Sequence, residues 1–186
     1  MKTVFLDRDG VISIYTPHDF IKNWDEFAFL PAARGGLKLL SDAGFRIVVV
    51  SNQSGVNKGI FSEAALCDIT DRMRAALAAD GVFLAGVYYC THREDEQCDC
   101  RKPRPGMLFR AARELGDVNL ADSFFIGDTQ ADIEAGKNAG ARTILVLSGK
   151  TKTADETEGW PVRPDFIAAD LEEAARIVIA RSPGGQ

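Results

Sequence analysis

The chain has 186 residues, 46% of them hydrophobic, which is enough for one α/β domain with a full core and short for two. Twenty-two Lys and Arg stand against 27 Asp and Glu, a formal charge of -5 that lacks the positive field a phosphate backbone demands, so nucleic acid is not an expected partner. There is no apolar signal stretch at the N-terminus, and no segment approaches the roughly 18 uninterrupted apolar residues of a membrane span, so a soluble, cytoplasmic, monomeric protein is expected.

In chain order, TVFL is a strand-like run that ends in Asp7, Arg8, Asp9 and Gly10. PAARGGLKLLSDAG is a helix, with Pro near its start and Gly44 beyond its end. FRIVVVS is a second strand, ending in Ser51, Asn52, Gln53 and Ser54. Next, SEAALCDITDRMRAALAADG reads as a helix with Ser62 as N-cap and Cys67 packed within it. LAGVYYC is a third strand that opens into CTHREDEQCDC, followed by Arg101, Lys102 and Pro103. GMLFRAARELG is helical, SFFIGD is a fourth strand ending at Asp128, and ADIEAGKNAG is a helix with Asp132 on its first turn. RTILVLS is a fifth strand; GKTKTADETEGWPVRPD reads as a polar surface loop, LEEAARIVIAR as a helix, and residues 182–186 as a flexible tail. Alternating strands and helices predict a three-layer, Rossmann-like parallel sheet with helices on both faces, in one domain spanning 1–186.

Open parallel sheets bind ligands at the carboxyl ends of their strands, and four polar segments fall there. Asp7 and Asp9 can converge on a divalent cation while Gly10 lets the chain turn tightly. Ser51, Asn52, Gln53 and Ser54 offer hydroxyl, amide and backbone donors suited to phosphate oxygens. Lys102, which Pro103 favours as extended, adds a cation able to neutralise a phosphoryl group in a transition state. Asp128 and Asp132 complete an anionic cradle. Each piece alone has a plainer explanation, as a turn, a cap or a surface lysine; their common position at strand ends favours an active site.

Cys90, His92, Cys98 and Cys100 supply three thiolates and one imidazole in a short loop, 90–100, the ligand set of a closed, structural tetrahedral zinc site. Reduced surface thiols beside a stray histidine are the alternative. His18, the other histidine, reads as a solvated loop residue.

FLDRDGV, VVVSNQSG, CRKP and IGDTQADIEAGKNAG, in this order between Val4 and Gly140, resemble the four motifs of the haloacid dehalogenase-like phosphohydrolases. The resemblance implies that Asp7 attacks phosphorus and forms an aspartyl-phosphate, and that Asp9 is the general acid and base. It also implies that Ser51 and Lys102 hold the phosphoryl group, that Mg2+ sits among the Asp7 carboxylate, the Asp9 carbonyl and Asp128, and that Asp132 orients metal-bound water. YYCTHREDEQCDCRKPRPGML resembles the zinc-bearing, capless branch that contains D-glycero-D-manno-heptose-1,7-bisphosphate 7-phosphatase and histidinol-phosphate phosphatase. DEFAFLP, SNQSGV and KPRPGML look more like the heptose group, which implies a heptose bisphosphate substrate with Arg101 binding its second phosphate or sugar. Ser13 stands where that group usually carries Asn, and the loop IYTPHDFIKNW, where Phe20 and Trp24 lie, also departs from it. Histidinol phosphate is the alternative substrate, and a zinc-organised binding module without catalysis is the non-enzymatic one.

Overall fold

Short β-branched and aromatic runs alternate with amphipathic helices, and in the computed structural model, which describes residues 2–182, they assemble as a parallel sheet. The elements are β1 (Thr3–Leu6), α1 (Ala33–Asp42), β2 (Arg46–Asn52), α2 (Glu63–Ala79), β3 (Leu84–Cys90), α3 (Gly106–Leu115), β4 (Phe124–Gly127), α4 (Gln130–Asn138), β5 (Arg142–Val146), β6 (Phe166–Ala168) and α5 (Leu171–Arg181). The strand order is β3-β2-β1-β4-β5-β6, and every pairing is parallel.

Burial follows position in the sheet. All four residues of central β1 and of β4 are buried, as a strand covered on both faces requires, whereas edge strand β3 alternates buried and more accessible residues. On one face, Val4, Leu6, Val49 and Ile126 pack with Leu37 of α1, Met73 of α2 and Val178 of α5. On the other, Phe5, Val48, Val50 and Phe125 pack with Leu108 of α3 and Ala135 of α4. Helix α1 buries Ala33, Gly36, Leu37 and Leu40, a single stripe at helical spacing. Gly36 is required there because a Cβ would lie 2.6 Å from the Leu171 carbonyl oxygen, so the bare backbone lets α1 approach α5.

After β1 the chain builds outward through β2 to β3, then α3 carries it back across to β4 on the other side of β1. The carboxyl ends of β1 and β4 therefore meet where the winding reverses, the position at which open sheets bind ligands. Leu6 pairs with Ile126, and the Asp7 N–H donates to the Ile126 carbonyl at 3.0 Å, so Asp7 and Asp128 leave neighbouring strands side by side.

Three local expectations change. Residues 149–165 are not simply a polar loop, since Thr151 and Thr157 are buried and the segment feeds β6, a three-residue edge strand. Cys67 is exposed on α2 and does not pack. In the tail, Ser182 is buried with its hydroxyl donating to the Val178 carbonyl at 2.7 Å; residues 183–186 of the expected flexible segment lie outside the described residues. Among the described residues no helix is long and apolar enough to cross a membrane.

Candidate active site and metal centre

Beyond β1, the Arg8 carbonyl accepts from the N–H groups of Ile12 (2.8 Å) and Ser13 (2.9 Å), folding residues 8–13 into a tight turn. Gly10 adopts φ +87°, and a Cβ there would meet Asp128 Oδ2 at 2.2 Å, so glycine is needed both for the turn and for the approach of the acid. Asp7 is buried at the strand end. Lys102 Nζ stands 2.9 Å from its Oδ2, and the Arg8 N–H donates to its Oδ1 at 2.7 Å. Burial, reinforced by Asp132 and partly offset by Lys102 and the Ser51 hydroxyl, pushes the Asp7 carboxyl up to about 6.

Asp9 is in different surroundings. The fully buried Arg8 grips it in a two-pronged pair, Nε to Oδ1 at 2.8 Å and Nη2 to Oδ2 at 2.9 Å, and Ser13 Oγ (2.8 Å) and Gln53 Nε2 (2.9 Å) also donate to it. Burial alone would raise its pKa, but Arg8 and these donors outweigh burial and hold it below the ordinary carboxylate range. Two carboxyls one residue apart thus have opposite tendencies, one inclined to hold a proton and its neighbour to give one up.

Lys102 is 4% exposed and bridges Asp7 and Asp132, with Asp132 Oδ1 at 2.6 Å, and it also donates to the Val50 carbonyl at 3.1 Å. Burial would lower its pKa; Asp132 and Asp7 outweigh burial and raise it, so the ammonium stays charged. Its backbone is clamped by Asn52, whose Nδ2 donates to the Lys102 carbonyl and whose Oδ1 accepts from the Lys102 N–H, both at 3.1 Å. The Lys102–Pro103 peptide bond is cis. The second Asp132 oxygen accepts from Thr129 Oγ1 (2.6 Å) and from the N–H groups of Thr129 (3.0 Å) and Asp128 (3.2 Å). Asp132 therefore fixes both the start of α4 and the lysine, engagements that the expectation of a water-orienting acid did not include.

Asn52 and Gln53, expected as donors to substrate, direct their side-chain amides to Lys102 and Asp9, and Asn52 also lines the cavity beside them. Ser51, at the end of β2, and Ser54, in the turn that follows, are both buried. A cavity of about 310 Å3 is lined by Asp7, Lys102, Asn52, Ser54, Arg101 and Lys58. Phe20 lines this cavity, whereas Trp24 stacks on Phe27 with ring centroids 4.8 Å apart. Sequence reasoning missed Arg8, Thr129 and the segment after β5, where the Lys150 N–H donates to Asp128 Oδ2 at 2.6 Å. That last contact was accessible from the sequence, because RTILVLSGK ends at the same sheet edge as the other four segments.

The residues fit a hard cation. Asp7, Asp128 and Asp132 bring carboxylate oxygens within 4.8 Å of one another, and Asp128 Oδ1 is buried with no hydrogen-bond partner. Burial and the two neighbouring carboxylates raise the Asp128 pKa well above its ordinary value, the strain that a divalent ion with oxygen ligands would relieve.

The second cluster is chemically distinct. Cys90, Cys98 and Cys100 place their sulfurs 3.2 to 3.6 Å apart, and His92 Nδ1 lies 3.2 Å from Cys100 Sγ and 3.6 Å from Cys90 Sγ. No two form a disulfide. Thiolates ~2.3 Å from a tetrahedral zinc stand about 3.8 Å apart, so this compact group of four soft ligands is compatible with zinc.

Residues 99–174 match the HAD-hydrolase-like family model. The chain is 40% identical over 179 residues to a D-glycero-beta-D-manno-heptose-1,7-bisphosphate 7-phosphatase of Pseudomonas putida, covering 96% of this chain and all of that one. It is 37% identical to the enzyme of the same name from Escherichia coli K12, covering 93% of each. The crystal structure of the D,D-heptose 1,7-bisphosphate phosphatase of B. bronchiseptica, complexed with magnesium and phosphate, superposes with a TM-score of 0.90 at 35% identity, covering 98% of this chain and 100% of that one. An acid pair at a strand end, a lysine held between carboxylates and these relatives agree: the chain is a phosphatase of the haloacid dehalogenase-like hydrolases and belongs to the family of the heptose-bisphosphate 7-phosphatases.

Proposed function

We propose that the protein removes the 7-phosphate of D-glycero-D-manno-heptose 1,7-bisphosphate through an aspartyl-phosphate on Asp7. The observation that carries this is a cavity lined both by the Asp7–Lys102 pair and by Arg101, which offers more than one cation to a substrate with two phosphates. Relatives named for that reaction along nearly the whole chain support it.

A carboxylate and a phosphate dianion repel, so attack needs the charge between them neutralised. Lys102 supplies part of this, since it remains cationic and already lies 2.9 Å from the attacking carboxylate. Asp7, Asp128 and the Asp9 carbonyl would hold Mg2+, which when bound would stabilise negative charge on the phosphoryl oxygens. Ser51 sits beside Asp7 to donate to a phosphoryl oxygen, and Asn52 keeps Lys102 in place.

In the first step an Asp7 oxygen bonds to phosphorus as the bond to the sugar oxygen breaks, and Asp9 gives that oxygen its proton. In the second, water attacks phosphorus, Asp9 takes the water proton, and the Asp7–phosphorus bond breaks. Arg8 holds Asp9 ionised in the substrate-free enzyme, which suits the second step. For the first, a phosphate dianion arriving beside Asp9 raises its proton affinity against the pull of Arg8.

Cys90, His92, Cys98 and Cys100 would bind a structural zinc that fixes the loop leading into Arg101 and Lys102. A monomer in the cytoplasm suits these functions, since a reducing compartment keeps the thiols available to a metal. Phosphate release from both anomers of the heptose bisphosphate and from histidinol phosphate tests the substrate. A higher kcat/KM for a heptose bisphosphate is expected; a higher value for histidinol phosphate overturns the substrate and leaves the chemistry standing.

A further inference from the structure

In this cavity Arg101 belongs to an ion cluster whose other two members, Lys58 and Glu94, the chemistry above does not use. Lys58 Nζ stands 3.4 Å from Glu94 Oε1 and 3.3 Å from Glu94 Oε2, and Arg101 Nη2 pairs with Glu94 Oε1 as well. All three side chains line the same cavity as Asp7 and Lys102. Both cations are held from behind. Lys58 Nζ lies over the Phe20 ring, 5.8 Å from its centroid, and Arg101 Nη1 donates to the His92 carbonyl at 3.3 Å. The two loops are tied again where Asn57 Nδ2 donates to both oxygens of Glu96 at 3.1 and 3.3 Å.

Two cations share one carboxylate, so the cluster carries a net positive charge even when paired, and Lys150 lines the same cavity. Within the cluster the Glu94 side chain is 61% exposed, against 35% for Lys58 and 22% for Arg101. The carboxylate is the member nearest water and least enclosed. A phosphate dianion offers these cations twice the charge and more acceptor oxygens than the carboxylate does.

We infer that Glu94 occupies, in the substrate-free enzyme, the place of the substrate's second phosphate, and that Lys58 joins Arg101 in gripping that phosphate once Glu94 is displaced. Resting as it does on the bisphosphatase function proposed above, this adds a selection step. A substrate with one phosphate has nothing to displace Glu94 with, so it leaves these cations neutralised and gains nothing from them. A bisphosphate exchanges a weak partner for a strong one.

The test compares heptose 1,7-bisphosphate with heptose 7-phosphate as substrates of wild type, K58M and E94Q, with zinc content and melting temperature confirming an intact loop. The ratio of kcat/KM between the two substrates should fall about tenfold in K58M, through KM, when one of two phosphate-binding cations is lost. In E94Q the ratio should rise about threefold, because the internal competitor no longer carries charge. Ratios unchanged in both variants, or a ratio that falls in E94Q, overturn the inference. A wild-type enzyme that does not prefer the bisphosphate overturns the proposed substrate instead, so the two failures are distinguishable.

Discussion

The two clusters of candidate metal ligands are built on opposite plans. Asp7 and Asp128 come from opposite halves of the chain and meet because β1 and β4 are fully buried neighbours in the sheet, so the scaffold places them whether or not a cation is present. The four zinc-type ligands come from residues 90–100, a stretch whose regular structure after Cys90 is one exposed 3-10 turn, Glu94–Glu96. A carboxylate cluster inside a finished core lacks charge balance, and Lys102 supplies part of it. In the thiol cluster Cys90 is buried at the end of β3, and Cys98 and Cys100 reach the same core from a loop with little regular structure, where a metal would supply the cross-link. Removing the cation from the first should therefore cost chemistry, and from the second, structure.

The strongest way to break this contrast is at the acid pair. D7N is expected to abolish phosphate release with Mg2+ present, and D9N to lower kcat by ~10²–10⁴-fold, the range of general acid–base contributions. Substantial turnover by D7N would remove the chemistry assigned to the carboxylate cluster. D7N should melt close to wild type or higher, since a neutral amide replaces a buried acid whose pKa is raised to about 6, whereas D9N should melt lower, since it leaves the buried Arg8 without its counter-charge.

C98S sharpens the other half. It should lose zinc by metal analysis, and a loss of ~3 kcal/mol would lower the melting temperature by roughly 6–12 °C in a chain of this size. Leaving out Mg2+ and then restoring it, with the zinc left in place, should abolish and recover activity without moving the melt as far. If wild-type protein carries no zinc, the structural role of the loop metal fails.

A smaller effect is expected at Arg8, which touches Asp9 and none of the carboxylates of the metal cluster through its side chain. R8M should slow hydrolysis of sugar phosphates by about 10–100-fold through a misplaced acid. Hydrolysis of p-nitrophenyl phosphate, whose leaving group needs little protonation, should slow less. Equal losses on both substrates would reduce Arg8 to a packing residue.

The smallest is a pH effect on the metal-free protein. Because the Asp7 pKa is raised from 3.8 to about 6, the folded state binds more protons at this group than the unfolded one between those values, so the contribution of Asp7 to stability is fullest below about pH 4 and is lost as pH rises through 6. The same proton competes with Mg2+. Titration calorimetry should show tighter binding at pH 7.5 than at 5.5, with proton uptake by buffer at the lower pH; equal affinity at both would mean that Asp7 is already ionised.

How much of this was legible in the sequence depended on whether a feature is local. Strands β1 to β5 and all five helices follow from apolar period and caps; Ser62, for example, accepts from the Ala65 N–H as its N-cap role requires. Strand β6 escaped because Phe166–Ala168 is too short to nucleate alone and forms by adding to the edge of β5. The polar strand ends were visible as types but not as directions. Nothing in SNQSG tells which amide faces Lys102 and which faces Asp9, because both partners arrive from other segments. Asp132 was visible as an acid four residues past Asp128, but its bond to Lys102 needed the loop after β3 to fold back over β4. Nothing in LDRDG assigns Arg8 a role, since a fully buried arginine is recognisable only once its surroundings exist.

The stereochemical course at phosphorus tests covalent catalysis by Asp7 most directly. A substrate with a phosphorothioate made chiral by oxygen isotopes should yield product with retained configuration, since attack by Asp7 and then by water inverts phosphorus twice. Inversion would mean that water displaces the sugar in a single step, and that Asp7 never bonds to phosphorus.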